Sequence, residues 1–261
     1  MNALASRLMT SRFNWPGLLF MAFLLAAWEL GALAVGSPSF PGALAVARTL
    51  VADGGELTGQ MGVTLARAAA GFGLALVTML PLGLFIGRTP RVGQYVEPLV
   101  DLLRPLPPLA IVPVAMLFMG TGSAAKVSVV FYSAAFPLLI NAIDATRATH
   151  PLLVQVGRSV GLTRAEIVRR IDLPAALPQI MAGVRLSVAI ALLISVSSEM
   201  LLSTDGVGNY LMRAQEQFRI AAGLAGITLV ALVSLAINTV VRRVEQRLLA
   251  WHHARHGIAS H

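Results

Sequence analysis

Four polar residues lie near the end of a long apolar segment, at Ser195, Ser197, Ser198 and Glu199. A charged side chain inside a membrane is costly, and by default it marks a functional site. Serine hydroxyls can bond to their own helix backbone, but four polar groups in five consecutive positions cover more than one face of a helix. We therefore expect this helix to line a polar translocation pathway. The alternative is that Glu199 is interfacial or is paired with another charge.

The sequence contains no pattern typical of bond-making chemistry. A phosphate-binding loop needs a lysine directly after glycine, whereas the single lysine, Lys126, follows Ala125. Gly206 and Gly208 lack the third glycine of a dinucleotide site. The five histidines show no metal-ligand spacing inside an apolar segment, and there is no cysteine to form a thiolate site or a disulfide. We therefore expect no enzyme activity, no metal and no cofactor.

The composition is typical of an integral membrane protein. Hydrophobic residues make up 56% of the chain and charged residues 12%, with a mean hydropathy of +0.76, whereas soluble domains carry about 25% charged residues. Six apolar blocks each approach the ~20 residues that a membrane-spanning helix needs. They cover residues 17–35, 62–87, 99–119, 124–143, 180–202 and 220–241. The sequence predicts an all-α protein with six transmembrane helices in a single domain, residues 1–261.

Two of the blocks are irregular. In the first, Arg7, Arg12 and the apolar run after them have the form of a signal peptide, but Glu29 interrupts the run, so we expect the block to remain as a span. In the third, prolines crowd the first half, and such residues are tolerated where a neighbouring helix or a cavity satisfies the freed carbonyl groups.

The basic residues set the orientation, because cytoplasmic loops of membrane proteins carry an excess of arginine and lysine. If the amino terminus is cytoplasmic, 15 of the 20 basic residues fall in inside segments, including Arg104 and Arg147. We therefore expect both termini in the cytoplasm. The net charge of +8 comes from basic residues that are distributed according to the membrane orientation and do not form one patch. We therefore do not expect nucleic-acid binding.

The loop between the fourth and fifth blocks carries strong local signals. Pro151 favours the start of a helix, and Gly161 can close that helix in the left-handed conformation. Thr163 and Glu166 have the spacing of a capping box, which predicts a second short helix. We expect that helix to end before Leu173-Pro174, because a residue that precedes proline avoids the α region.

The first loop helix presents an apolar stripe of Leu153, Val156 and Val160, and the loop carries four arginines. It could be an ordinary inside loop made basic by the orientation rule. A simple connector, however, needs neither two capped helices nor an apolar stripe. A short amphipathic helix of this kind suits a groove on another protein.

The loop sequence QVGRSVGLTRAEIVRRIDLPAALP, residues 155–178, resembles the EAA loop of permease subunits in ATP-binding-cassette importers. Gly161 and the LPAALP run at 173–178 stand at that family's spacing. Other motifs resemble the branch that handles sulfonates, taurine, nitrate and related small solutes. These are Trp28-Glu29, LRPLPPLA at 103–110, Ser198-Glu199-Met200, and Gly206-Val207-Gly208 before Asn209-Tyr210-Leu211. In one departure, Gln155 replaces the acidic residue that usually opens the loop motif.

The resemblance implies a type I importer permease in the bacterial inner membrane, working by alternating access for a small polar or anionic solute. The implied partners are a separate ATPase subunit, an external solute-binding protein, a second copy of the chain in a homodimer, and membrane lipid. The coupling loop would span about residues 146–178. Its expected contact residues are Gln155, Arg158, Gly161, Leu162, Glu166, Leu173 and Pro174. The alternative function is an ATP-independent channel or secondary transporter.

Overall fold

The computed structural model describes residues 15–148, 151–201 and 203–249. The described residues form eleven α-helices and one π-helical segment. They are α1 (Trp15–Val35), α2 (Ala43–Ala52), α3 (Gly54–Arg88), α4 (Pro90–Leu103), α5 (Pro108–Met119), α6 (Ser123–Arg147), α7 (Pro151–Ser159), α8 (Arg164–Ile167), the π segment (Val168–Asp172), α9 (Leu173–Met200), α10 (Val207–Glu216) and α11 (Ile220–Leu248). Arg7, Arg12 and the five histidines lie outside the described residues.

Five helical stretches in the described ranges are long and apolar enough to cross a membrane. They are α1, α3, α6, the stretch from α8 through α9, and α11. The pair α4 and α5 passes the same test as one broken span, bent by 95°. The predicted all-α membrane fold is confirmed, with five candidate spans, or six if the bent pair counts as one.

The break between α4 and α5 lies where proline is densest. Pro105, Pro107 and Pro108 remove backbone donors and push the residues before them out of the helix. The Tyr132 hydroxyl on α6 donates to the carbonyl oxygen of Leu103 over 2.5 Å. The neighbouring helix thus satisfies a freed carbonyl, as predicted. Arg104 lies at this break, directly after the end of α4.

Helices α3, α6 and α9 pack together as the core of the described chain. Small residues allow their close approach. A Cβ atom at Gly71 would lie 2.6 Å from Val130 Cγ1, and one at Gly83 would lie 2.6 Å from Ala142 Cβ. On α9, Gly183 faces α6 in the same way. Glycine at these positions fixes the spacing of the three central spans.

The expected end of the second loop helix before Leu173 is wrong. The chain continues from α8 through the π segment into α9, so Pro174 lies in the first turn of α9 and Pro178 lies inside that helix. In the π segment the Leu173 amide donates to the Val168 carbonyl, which widens the turn before the proline. The wider turn accommodates the Pro174 ring without ending the helix. The preference of a residue before proline for non-helical conformations does not take such a turn into account.

The Trp28-Glu29 pair of α1 holds the start of α2. The Trp28 indole donates to the carbonyl of Pro41 over 3.1 Å. The Glu29 carboxylate accepts a 3.0 Å hydrogen bond from the amide of Leu44, in the first turn of α2. A carboxylate at this position satisfies an amide that has no partner within its own helix. Glu29 therefore has a structural role at the junction of α1 and α2.

Candidate functional site

The Glu199 carboxylate lies fully buried where the ends of α3 and α9 meet the start of α10. One carboxylate oxygen accepts from the guanidinium of Arg67 over 2.9 Å. The other accepts from the Thr64 hydroxyl over 2.7 Å and from the Gly208 amide over 3.2 Å. Three donors thus satisfy a charge that would be very costly alone in the membrane.

Arg67 joins this carboxylate to the neighbouring segments. Its guanidinium lies 2.6 Å from the Asp205 carboxylate and donates to the Ser123 hydroxyl over 3.0 Å. Partial burial opposes ionisation of Asp205, but the hydrogen bond and positive charge of Arg67 hold the pKa of that carboxyl below its usual range. Arg67 is only 4% exposed. We call the group formed by Thr64, Arg67, Ser123, Glu199 and Asp205 the polar junction.

Gly206 permits the chain to enter α10 beside the polar junction. Its φ of +89° lies in the region that favours glycine. A Cβ atom there would lie 2.2 Å from the carboxyl carbon of Glu199. Both backbone conformation and space therefore require glycine, and this explains why the Gly206-x-Gly208 motif follows the fifth apolar block.

The four predicted pathway residues lie in or next to the polar junction. Ser195 donates to the carbonyl of Thr64 over 3.0 Å, and Ser198 donates to the carbonyl of Ser195 over 2.9 Å. Both serines are fully buried, as is Glu199. Ser197 is partly exposed. The structure thus brings three of the four into a packed hydrogen-bonded cluster and leaves Ser197 as the accessible member.

After α6, the chain from α7 through the π segment, residues 151–172, bends sharply at Gly161, and we call this segment the elbow. The φ of Gly161 is +81°, and the Leu162 amide donates to the Gly157 carbonyl over 3.0 Å while the Gly161 amide donates to the Arg158 carbonyl. This is the Schellman arrangement that closes a helix on glycine. A Cβ atom at Gly161 would meet nothing within 4 Å. The predicted helix end at this glycine is confirmed.

The predicted capping box also forms. The amide of Thr163 donates to the Glu166 carboxylate over 3.0 Å, and the Thr163 hydroxyl accepts from the Glu166 amide over 3.3 Å. Two backbone donors are thereby satisfied at the start of α8. Glu166 also contacts Arg170 one turn further along. The Glu166 carboxylate thus has partners within the elbow itself.

The elbow buries one side and exposes the other. Ile167 is buried, and the Ile171 side chain packs against Gly157. The apolar stripe of α7 is uncovered in the described chain, with Val156 53% and Val160 69% exposed. Of the predicted contact residues, Gln155, Arg158, Gly161 and Leu173 are exposed, whereas Leu162, Glu166 and Pro174 are partly buried.

An ion pair between a buried carboxylate and a half-buried guanidinium connects the elbow to α3. The Asp172 carboxylate in the π segment lies against the guanidinium of Arg88 at the end of α3. Asp172 is only 2% exposed. No sequence pattern identified this pair. The alternative expected for Glu199, pairing with another charge, is the one observed, with Arg67 near the start of the second apolar block as the partner.

Comparison with known proteins gives one family. Residues 79–250 match the family described as binding-protein-dependent transport system inner membrane component. The match includes the elbow, α6 and α9, and the last ten residues of α3.

Two curated relatives extend over most of the chain. A protein of Bacillus subtilis (strain 168), named for permease function in aliphatic sulfonates transport, is 33% identical over 94% of this chain and 91% of its own length. The taurine transport system permease protein of Escherichia coli (strain K12) is 26% identical over 74% of this chain and 70% of its own length.

A solved structure shares the fold. An inward-facing structure of the MetNI methionine ABC transporter superposes with a TM-score of 0.64, covering 74% of this chain and 96% of that chain. The sequence identity is 19%, so the likeness concerns the fold alone.

Proposed function

The chain belongs to the family of binding-protein-dependent transport system inner membrane components, and from this premise we propose that it moves a small polar or anionic solute of the sulfonate, taurine or nitrate type. It is a membrane-embedded permease subunit of an ATP-driven importer, not an enzyme. ATP hydrolysis belongs to a partner subunit, and the family also implies an extracytoplasmic solute-binding protein.

Two relatives support the proposed solute class. One is named for aliphatic sulfonates and the other for taurine, and both kinds of solute carry a sulfonate group. The branch motifs of the sequence agree with those names. We propose that the whole chain acts as one permease domain and that two copies, embedded in lipid, form the pathway between them.

We propose that the elbow receives the force of the ATPase. The observation that supports this is the structure of the elbow. An exposed apolar stripe lies on a helix that closes at Gly161, and the Arg88–Asp172 ion pair lies beneath it. Both termini would then be cytoplasmic, like the elbow within the loop of about residues 146–178. Its docking residues would be Gln155, Arg158, Gly161, Leu162, Glu166, Leu173 and Pro174.

The helix that follows the elbow offers a mechanical route for coupling. Residues 165–200 run as one continuous helical stretch of 36 residues, which corresponds to about 54 Å at 1.5 Å per residue. Its far end carries Glu199 and is fixed to α3 and α10 through the polar junction. A displacement of the elbow would therefore move the entire span and not only its nearest turn.

Reconstitution tests this function directly. The chain, its ATPase and the solute-binding protein are placed in proteoliposomes, and uptake of radiolabelled taurine and of ethanesulfonate is measured with ATP and with a non-hydrolysable analogue. We expect uptake only with ATP and with the binding protein present. Equal uptake without hydrolysis would instead support the channel or secondary-transporter alternative.

We retain the pathway hypothesis for Ser195, Ser197, Ser198 and Glu199, with Ser197 as the direct test because it is the accessible member. Ser197→Val replaces the hydroxyl with a bulkier apolar group. We expect uptake to fall several-fold while the protein assembles normally. Ser128→Val, which removes a hydroxyl bonded to its own helix backbone on α6, is the matched control. Unchanged uptake in both variants would reject the pathway role of Ser197.

A further inference from the structure

The break between α4 and α5 opens onto a cavity of about 350 Å³. Arg104 lies at its rim, Tyr132 and Asn141 of α6 form one wall, and Leu186 and Ile190 of α9 form another. Most of the remaining surface is apolar. Arg104 is the only charged residue that lines this cavity among the described parts of the chain.

The cavity extends along α6 from Tyr132 to Asn141. The hydrogen bond from Tyr132 to the Leu103 carbonyl places the break level with Tyr132. Tyr132 stands nine residues after Ser123, the first residue of α6, or about 14 Å along the helix at 1.5 Å per residue. A hydrocarbon core is about 30 Å thick. Asn141, at the other end of the cavity, stands 18 residues after Ser123, or about 27 Å, so the cavity and Arg104 lie within the length of the span.

Arg104 has no carboxylate partner within ion-pair distance in the described ranges, which distinguishes it from other arginines of the central spans. Arg67 pairs with Glu199, Arg147 with Glu97, and Arg185 with Glu245. Glu97, Asp101 and Asp144 line an adjoining recess that Arg104 also borders, but none of them lies within ion-pair distance of it. A guanidinium within a membrane span is costly unless water or an anion compensates it.

We propose that this cavity is a transient binding site for the anionic group of the transported solute, with Arg104 as the residue that holds it. This rests on the proposed transport function and adds the site within the permease. A guanidinium can bind a sulfonate or carboxylate through two parallel hydrogen bonds. The apolar walls contributed by α6 and α9 would accommodate the carbon part of a small organic anion.

The absence of native cysteine permits a direct binding test. Asn141→Cys places the sole thiol of the chain in the cavity wall. The full importer in membranes, without nucleotide, is treated with N-ethylmaleimide, and the alkylation rate is measured with ethanesulfonate or with the neutral diethyl sulfone. We expect ethanesulfonate to slow alkylation and the sulfone not to do so.

The arginine is then changed in the same background. Arg104→Gln is expected to weaken protection by ethanesulfonate about tenfold or more, since hydrogen bonds to charged groups are among the stronger ones. Arg91→Gln, which removes an exposed arginine of α4 outside the cavity, should leave protection unchanged. Arg104→Lys keeps the charge but not the planar pair of donors, so we expect partial protection.

Three results would overturn the proposal: no protection by ethanesulfonate, equal protection by the neutral sulfone, or full protection in Arg104→Gln. If Arg104→Gln fails to assemble, the comparison of the two compounds with Arg104 intact still decides. Uptake measured in the same membranes separates the two claims. If sulfonate is taken up but does not protect the thiol, the proposed site is rejected and the transport function stands. If sulfonate protects the thiol but is not taken up, the proposed solute class is rejected and the site stands.

Discussion

Replacing Gly161 by valine is expected to uncouple ATP hydrolysis from transport while the importer still assembles. Gly161 has a φ of +81°, and a Cβ atom added there would meet no neighbour within 4 Å, so the penalty is conformational and not a clash. A β-branched residue avoids this region, at a cost on the order of 1–2 kcal/mol. The least costly relief is to rotate α7 away from α8, which would displace the apolar stripe.

The measurement is uptake and ATPase activity in the same proteoliposomes. We expect uptake to fall about tenfold while ATP hydrolysis persists. A tenfold fall corresponds to a loss of about 1–2 kcal/mol in the stability of the docking conformation of the elbow. Gly36→Val is the matched control, because Gly36 has a φ of +59° directly after the end of α1 and an added Cβ would meet no atom closer than 4.0 Å, but it lies at the other end of the spans. Equal loss of coupling in both variants, or normal coupling in Gly161→Val, would contradict the role of the elbow.

Replacing Glu199 by glutamine is expected to lower the stability of the folded protein strongly. The change removes one of the two carboxylates that Arg67 contacts, leaving Asp205, and the new amide hydrogens face the donors of Arg67 or Gly208. Removing one partner of a buried ion pair costs about 3–5 kcal/mol. We expect a marked fall in the melting temperature of the purified protein and in the amount that reaches the membrane.

Glu97→Gln provides the control, because the Glu97–Arg147 pair has similar chemistry but is 39% exposed on both sides. Exposed pairs contribute about 0–1 kcal/mol, so little change is expected. The double variant Arg67→Leu with Glu199→Leu should recover part of the loss, since the two charges are coupled. Normal stability of Glu199→Gln with loss of uptake would contradict a structural role and favour direct contact with solute.

Local sequence signals predicted local structure well. The Gly161 turn and the Thr163–Glu166 capping box depend on neighbouring residues alone, and both form as expected. The apolar blocks likewise became spanning helices because their length is set by the bilayer. The prolines marked the third block as irregular, but they did not predict the 95° bend.

Features that depend on contacts between residues far apart in the sequence could not be predicted from local patterns. Glu199 and Arg67 are 132 positions apart, and charge pattern alone does not say which of several charges at one level pair. The uninterrupted passage through Pro174 depends on a π segment tied down by Arg88. The depth of Arg104 follows from the packing of Tyr132 against the break, which no local motif encodes.

Crosslinking from the elbow tests the central claim most directly. Gln155→Cys creates the only thiol of the chain on the exposed face of α7, and Gln217→Cys creates one at the end of α10, near the other end of the spans. A short bifunctional reagent is added to the assembled importer in membranes. We predict that position 155 captures the ATPase subunit and position 217 does not. Capture from position 217 alone, or failure of both position 155 and Arg158→Cys in an active importer, would contradict the account.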